Sequence, residues 1–410
     1  MIAEPLILIA VVIVAYGVVS ERLSASVVSA PMVFMLAGIA AGPAGLSLFH
    51  ASVSGPVLEG FAELTLGLIL FADAATTNGV RLAKDNSLPR RLLLIGLPLS
   101  IVLGAVIAKL FFAELSWMEA ALVAAILAPT DAALGYAVVT SKVVPERIRQ
   151  AILVESGVND GLALPAVLLF AALAFSAEGG GGEGAEYWII FTAQQIGVGA
   201  VVGAGLGYGL GRVITAADAR GLVAHGFRKL TAVGVAILTL FAAELAGGNG
   251  FIAAFVGGLV FGNVCKRRAA TLTEFVEEEG QLFSLAIFFL FGAVLLPEAT
   301  EYFTAMCFLY GLLSLTIIRM GPVALSLVGS GLTRPATAFI GWFGPRGLAS
   351  ILFLFIAVEH EGMGGLPRME AIVYITVALS VIAHGLTAAP FSRAFGRSVA
   401  TAETPAKAET

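Results

Sequence analysis

The chain has 410 residues, 59% of them hydrophobic, with 48 glycines, a net charge of −5 and only 12% charged residues; a soluble globular domain carries about 25%. So few charges cannot cover a surface in water, which excludes a soluble domain of this size along with disordered, collagenous and disulfide-framework chains. A mean hydropathy of +0.97 leaves an all-α polytopic membrane protein whose outer surface faces the lipid bilayer.

The start, Met1 to Pro5, carries no positive charge and its apolar run ends without a small-residue cleavage site, so the first helix is expected to be retained. Stretches long enough to cross about 30 Å of hydrocarbon are expected at 5–20, 31–48, 57–77, 90–112, 117–140, 148–175, 187–215, 222–247, 249–264, 275–296, 302–330, 335–357 and 368–395. These are thirteen transmembrane helices, the second and ninth being the short ones. The basic residues test the count independently, because Lys and Arg collect in cytoplasmic loops. Alternate connections contain Arg22; Arg81, Lys84, Arg90 and Arg91; Lys142, Arg147 and Arg149; Arg212, Arg220, Arg228 and Lys229; Lys266, Arg267 and Arg268; Arg334; and Arg393, Arg397 and Lys407. That is nineteen of the 23 basic residues, against Arg368 alone on the other side. The N-terminus is therefore expected outside and the C-terminus in the cytoplasm, with a short cytoplasmic tail at 398–410.

Between spans six and seven, the run Gly179 to Gly182 with Glu178, Glu183 and Glu186 is expected to be a flexible outer loop. In span seven Gly199, Gly203, Gly207 and Gly211 recur every fourth residue, a smooth face for close helix packing; no strand precedes them, so they are not a nucleotide loop. Cys265 and Cys307 lie in separate apolar segments and are expected to be inert buried thiols. His360-Glu361 lacks the second histidine of a zinc motif. No basic stripe suggests nucleic acid.

Ionisable groups inside spans cost several kcal/mol unless paired or hydrated, which makes each a functional candidate. Asp131 lies at the middle of span five, Glu155 and Asp160 near the middle of span six, and Arg319 and Arg346 near the middles of spans eleven and twelve. Lys109, Glu63 and Glu244 lie nearer span ends, where snorkelling explains them. Two prolines coincide with the central charges. Pro129 has no N–H for the carbonyl of Ala125, so span five is expected to unwind over Ala128 to Asp131, and Pro345 does the same beside Arg346. One broken helix in each half, oppositely oriented, points to an inverted-repeat transporter with its site at the midplane.

On a helical wheel Glu155 stacks with Asn159, while Ser156 stacks with Asp160 about 100° round span six. If Arg319 and Arg346 each neutralise one carboxylate, one of Asp131, Glu155 and Asp160 is left to bind a proton or a cation. Asp73, in span three, is a further acid within possible reach of the site.

Ala-Pro-Thr-Asp at 128–131, Glu-Ser-Gly-Val-Asn-Asp-Gly at 155–161, Leu-Phe-Ala-Asp-Ala at 70–74, Gly-Asn-Gly-Phe-Ile-Ala-Ala-Phe at 248–255 and Gly-Pro-Arg-Gly at 344–347 resemble the monovalent cation/proton antiporters. The prokaryotic sodium/proton branch related to the eukaryotic sodium/proton exchangers is the most similar. The resemblance covers nearly the whole chain and implies the sodium/proton antiporter fold in a homodimer of the prokaryotic cytoplasmic (inner) membrane. It implies a moving core from 90–175 and 302–395, a dimerisation domain from 1–80 and 222–296, and a linking helix at 187–215. By position, Asp160 matches the aspartate that binds the ion and the proton, with Ser156, Thr130 through its backbone, and Asp73 as further Na+ ligands. Glu155 matches an acid paired to Arg319, Asp131 matches the acid of the unwound helix with Arg346 as its expected partner, and Asn159 matches the asparagine of electroneutral members. Asp73 stands where some relatives have Glu, a departure that weakens it as a direct ligand.

The implied activity is exchange of Na+, and also Li+, for H+, with no catalysis and no cofactor. A K+/H+ antiporter and a sodium-coupled solute symporter of similar fold are the alternatives, the symporter lacking residual polar groups for an organic substrate. An intramembrane aspartyl protease is disfavoured, because the midplane arginines would hold its aspartates ionised and its Gly-x-Gly-Asp pattern is absent. Strong carboxylate sites also favour exchange over the passive flow of a channel.

Overall fold

The computed structural model describes residues 3–24, 26–48, 55–76, 87–131, 134–177, 185–265, 269–358 and 365–403. Within them the chain is helical without strands, and the helices fall at the thirteen expected stretches. Seven are long and apolar enough by composition to cross a membrane. The loop residues Arg81, Lys84, Glu178, Gly179 to Glu183, Lys266 to Arg268, His360-Glu361 and Lys407 lie outside the described residues.

Helix α1 (Ala3–Ser24) is apolar all round, and Leu6, Ile7, Val11, Val14 and Val18 are exposed, as on a helix that meets lipid. Helix α2 (Ala30–Ala41) is shorter than the expected 31–48. Gly42 precedes Pro43, whose ring pushes the preceding residue to extended backbone, and Gly42 indeed has φ −74° and ψ −177°. Helix α3 (Gly55–Thr76) follows. Helix α4 (Ser87–Phe111) contains one π turn at Leu92–Gly96; Pro98 has no N–H for the carbonyl of Leu94, so the ladder there has lost a rung.

Helix α5 is broken. Its first part, α5a (Trp117–Ile126), opens on a capping box in which Ser116 and Glu119 satisfy each other's backbone amides, and a single turn, α5b (Tyr136–Val139), follows the break. The interruption is longer than the expected Ala128 to Asp131. By contrast α6 (Glu146–Ala177) continues through Pro165. Helices α7 (Ala185–Ala219), α8 (His225–Leu245) and α9 (Gly250–Cys265) come next. Helix α10 (Ala269–Leu290) extends through a π turn at Phe291–Leu295 to a last 3-10 turn ending at Tyr302.

Helix α11 is read from the sequence as continuous, yet it divides at Thr316 into α11a (Ala305–Leu315) and α11b (Ile317–Ser326). The Thr316 hydroxyl bonds back to the Leu312 carbonyl at 2.7 Å, a side-chain competition that bends helices. Helix α12 breaks as expected at Pro345, between α12a (Arg334–Trp342) and α12b (Leu348–Val358), and α13 (Leu366–Glu403) closes the fold.

The packing falls into two sets. Helix α9 packs on α3, α7 and α8, while α10 packs on α2, α3 and α8. Gly199, Gly203 and Gly207 of α7 lie against the carbonyls of Asn249, Ala253 and Gly257 of α9, so closely that a Cβ at any of the three would overlap backbone. The four-residue glycine repeat is thus a backbone-to-backbone contact. Gly258 and Gly262 meet the backbone of Phe71 and Ala75 of α3 in the same way. In the other set, α4 packs on α5a and α11, α5a on α6, α11b on α12a, and α12b on α6 and α13.

Candidate functional site

The two broken helices cross, and each completes the other. The break of α5 exposes carbonyls at the C-terminal end of α5a. Arg346 Nη1 donates to the carbonyls of Ala128 and Pro129, the second at 3.0 Å, and the Ser350 hydroxyl donates to that of Ile126 at 2.9 Å. The break of α12 exposes amides at the start of α12b. Asp131 Oδ2 accepts from Leu348 N at 2.8 Å, and the Asp131 amide donates to the Pro345 carbonyl at 2.8 Å. A Cβ on Gly347 would overlap the Asp131 carboxylate, so the close approach requires glycine there.

The expected ion pair between Asp131 and Arg346 is therefore corrected. Each charge faces a helix end of the opposite partial charge, the carboxylate at the N-terminus of α12b and the guanidinium at the C-terminus of α5a. Broken backbone at membrane depth has unsatisfied polar groups of its own, and these claim the two side chains.

Glu155 and Arg319 do meet. They form a bidentate pair with Nη1 to Oε1 at 2.6 Å and Nη2 to Oε2 at 2.8 Å, with both side chains almost wholly buried. Gly344, in the α12 break, lies against the Arg319 guanidinium and has no room for a Cβ. The pair thus ties α6 to α11b beside the crossing.

The neighbouring part of the α6 wheel, from Asn159 round to Ser156, faces α5. Ser156 Oγ donates to the Thr130 carbonyl at 2.5 Å, Thr130 Oγ1 lies 3.4 Å from Ser156 Oγ, and Asn159 Nδ2 donates to Thr130 Oγ1 at 2.7 Å. Ser156, Asn159, Thr130 and Asp160 are all buried. Asp160, 7% exposed, has no hydrogen-bond partner on Oδ1. Asp73 and Asp131 are the carboxylates that act on it electrostatically. An ionised Asp160 thus has neighbours of its own sign and an oxygen without a donor, an arrangement that a proton or a cation completes. Asp73 is partly exposed on α3. Among the described residues no three His, Cys, Asp or Glu side chains form a metal-holding group.

Other predicted features have their places. Lys109 Nζ donates to the carbonyls of Ala113 and Leu115 just past the end of α4, and Cys265 and Cys307 are buried thiols outside any disulfide. Sequence reasoning passed over His384. This side chain is 1% exposed, with Nε2 2.8 Å from the Trp342 carbonyl and Nδ1 3.1 Å from Ser380 Oγ, the hydroxyl that accepts from the Arg346 amide. The sequence signal for it is the polar pair Ser380 and His384, four residues apart within an apolar span. Glu119 was likewise legible through the Ser116-x-x-Glu119 box; its Oε1 also accepts from Gly365 N at 2.9 Å, joining α5a to the segment before α13.

Comparisons with known proteins agree with this architecture. The chain is 25% identical over 92% of its length to the K(+)/H(+) antiporter NhaP of Alkalimonas amylolytica and spans 63% of that relative's length. It is 31% identical over 64% of its length to the Na(+)/H(+) antiporter NhaS2 of Synechocystis, covering 47% of that protein. Its fold superposes on the sodium proton antiporter MjNhaP1 of Methanocaldococcus jannaschii with a TM-score of 0.77 at 18% identity, over 96% of this chain and 98% of the other. The family described as the sodium/hydrogen exchanger transmembrane domain matches residues 7–394; the chain belongs to that family.

Proposed function

We propose that the protein is a secondary antiporter that exchanges a monovalent cation for a proton across the membrane, with Asp160 as the shared binding group. The observation that carries this reading is the buried Asp160 carboxylate, one oxygen unpartnered, on a helix hydrogen-bonded through Ser156 and Asn159 to the broken α5. Thr130, Ser156 and Asp73 supply further oxygens to the cation. The Ser156 proton is committed to the Thr130 carbonyl and one lone pair accepts from Thr130 Oγ1, which leaves the other lone pair of the hydroxyl for a cation. Asp131 holds the crossing at the start of α12b, and Glu155 with Arg319 holds α6 against α11b.

Exchange is electroneutral in this reading, because Asn159 occupies the position beside Asp160 where a second acid would carry a second charge. Helices α4 to α6 and α11 to α13 move as the core, and α1 to α3 with α8 to α10 form the static, dimerising part. The family and the oxygen ligands support Na+ or Li+ as the cation. The relatives named K(+)/H(+) antiporters favour K+ as the second reading. In the cytoplasmic membrane of a prokaryote the N-terminus would lie outside and the C-terminus inside, as the basic loops imply.

The test is cation-induced proton movement in proteoliposomes of the purified protein, with sodium, lithium and potassium compared across pH. Proton movement driven by any of the three without an organic solute is the expected result, and the ranking chooses the cation. No movement with any of them, or movement only with an added solute, overturns the reading.

A further inference from the structure

The glycine contacts fix helix directions. Gly199, Gly203 and Gly207 meet Asn249, Ala253 and Gly257 in step, and Phe71 and Ala75 meet Gly258 and Gly262 in step, so α3, α7 and α9 run parallel. Helix α6 ends at Ala177, and α7, which packs on it, begins at Ala185. So short a connection cannot retrace a helix of 32 residues, about 48 Å long, so α6 runs the other way. The Ala177, Ala185 and Gly250 ends therefore point toward one end of the bundle, with α9 beginning level with Gln195 to Gly199, well below Ala185.

Phe255 lies near that end of α9, and its buried ring sits on Gly161, the residue next to Asp160 on the same side. A Cβ on Gly161 would overlap the ring. Asp73 lies between Phe71 and Ala75, level with Gly258 to Gly262, hence farther from that end than Phe255. A cavity of about 770 Å³ opens from the other end, lined in part by Thr140, Ser141, Gln281, Ser284 and Ser392. It reaches Leu134, whose amide donates to Asp131 Oδ1 at 3.3 Å. A cavity lined in part by hydroxyls thus runs from one end of the bundle up to the α5 break, while an aromatic ring lies over the middle of α6, next to Asp160 on the side toward Ala177.

We propose that Phe255 is the seal that closes the Asp160 site toward the Ala177 end, and that Gly161 is bare so that α6 can slide under the ring. This rests on the antiport reading. Apolar constrictions exclude water and hydrated ions by dewetting. Helix α9 is held by backbone contact to α3 and α7, so the ring is a fixed knob, and a smooth spot on α6 is what a moving partner needs. The seal is a positioning element, since it acts on access to Asp160 and binds no ion.

The experiment compares the parent, Phe255→Ala, Gly161→Ala and the double variant in proteoliposomes. It measures coupled exchange and, in cation-free buffer, passive proton leak. Phe255→Ala is expected to leak protons at least tenfold faster than the parent. Gly161→Ala is expected to lose exchange at least tenfold, and the double variant to recover most of that loss. A merely structural defect at Gly161 would not be repaired by removing the ring. Gly161→Ala with parental exchange, or a double variant as inactive as Gly161→Ala, overturns the proposal. Amide hydrogen exchange of the α6 peptide 155–165 gives a readout without transport. It is expected to rise in Phe255→Ala, or in Phe255→Leu if the alanine variant does not fold, while an α7 peptide stays unchanged. An unchanged α6 peptide overturns the seal. A parent that moves no protons in response to cations overturns the antiport reading instead, and the amide exchange still decides the seal.

Discussion

Asp160 and Glu155 lie five residues apart on one helix and meet opposite conditions. Glu155 receives two charge-assisted hydrogen bonds from Arg319, so its charge is compensated in place. Asp160 receives none on Oδ1, so in the proposed exchange its charge is compensated by the proton or cation it binds. Asp160→Asn keeps the size and removes the exchangeable charge; it is expected to abolish exchange while the protein elutes and melts like the parent. Retained sodium-dependent proton movement at normal expression would sink the assignment. Glu155→Gln and Arg319→Ala each strand a buried charge, which costs roughly 3–5 kcal/mol. Both variants are expected to melt well below the parent in detergent, with activity falling as a consequence, and parental melting of both would show that the pair contributes nothing to stability.

Among the elements, the crossing of α5 and α12 explains why two breaks are tolerated in lipid. Each exposes one kind of orphan group, and the other helix brings the complementary side chain, Arg346 to carbonyls and Asp131 to an amide. Gly347→Ala pushes a methyl group into Asp131; overpacking of this kind costs about 1–3 kcal/mol. Because the clash falls on the crossing, exchange is expected to drop more steeply than thermal stability, a ratio read by measuring both on one preparation. Gly203→Leu would separate α7 from α9 and is expected to act in the opposite sense, lowering the melting temperature first. Equal losses of exchange and stability in both variants would remove the distinction between crossing and scaffold.

For the whole molecule, the prediction concerns charge and pH. In the proposed scheme one carboxylate alternates between a proton and one monovalent cation and no net charge crosses in a cycle, so clamping the membrane potential is expected to leave the rate unchanged and solid-supported membranes to record no steady current. Since both ligands compete for Asp160 in that scheme, the apparent cation affinity is expected to weaken as pH falls, by up to tenfold per pH unit where the proton dominates. A steady current would bring Asp131 or Asp73 into the cycle as a second titrating group, and a pH-independent affinity would remove the competition altogether.

The sequence by itself determined where the thirteen helical stretches fall, because hydrocarbon thickness fixes the length of an apolar run. It also determined the break at Pro345, the start of the break near Pro129 and the glycine face of α7, because a missing N–H and a missing Cβ act locally whatever surrounds them. Only the tertiary structure decided that Arg346 serves the α5 carbonyls instead of Asp131, since two charges of opposite sign at similar depth suggest a pair until the orphan backbone groups between them are seen. It also decided the places of His384 and Phe255. An imidazole and an aromatic ring look like ordinary core in an apolar sequence, and their meaning comes from contacts between helices far apart along the chain: Trp342 and Arg346 on one side, Gly161 on the other.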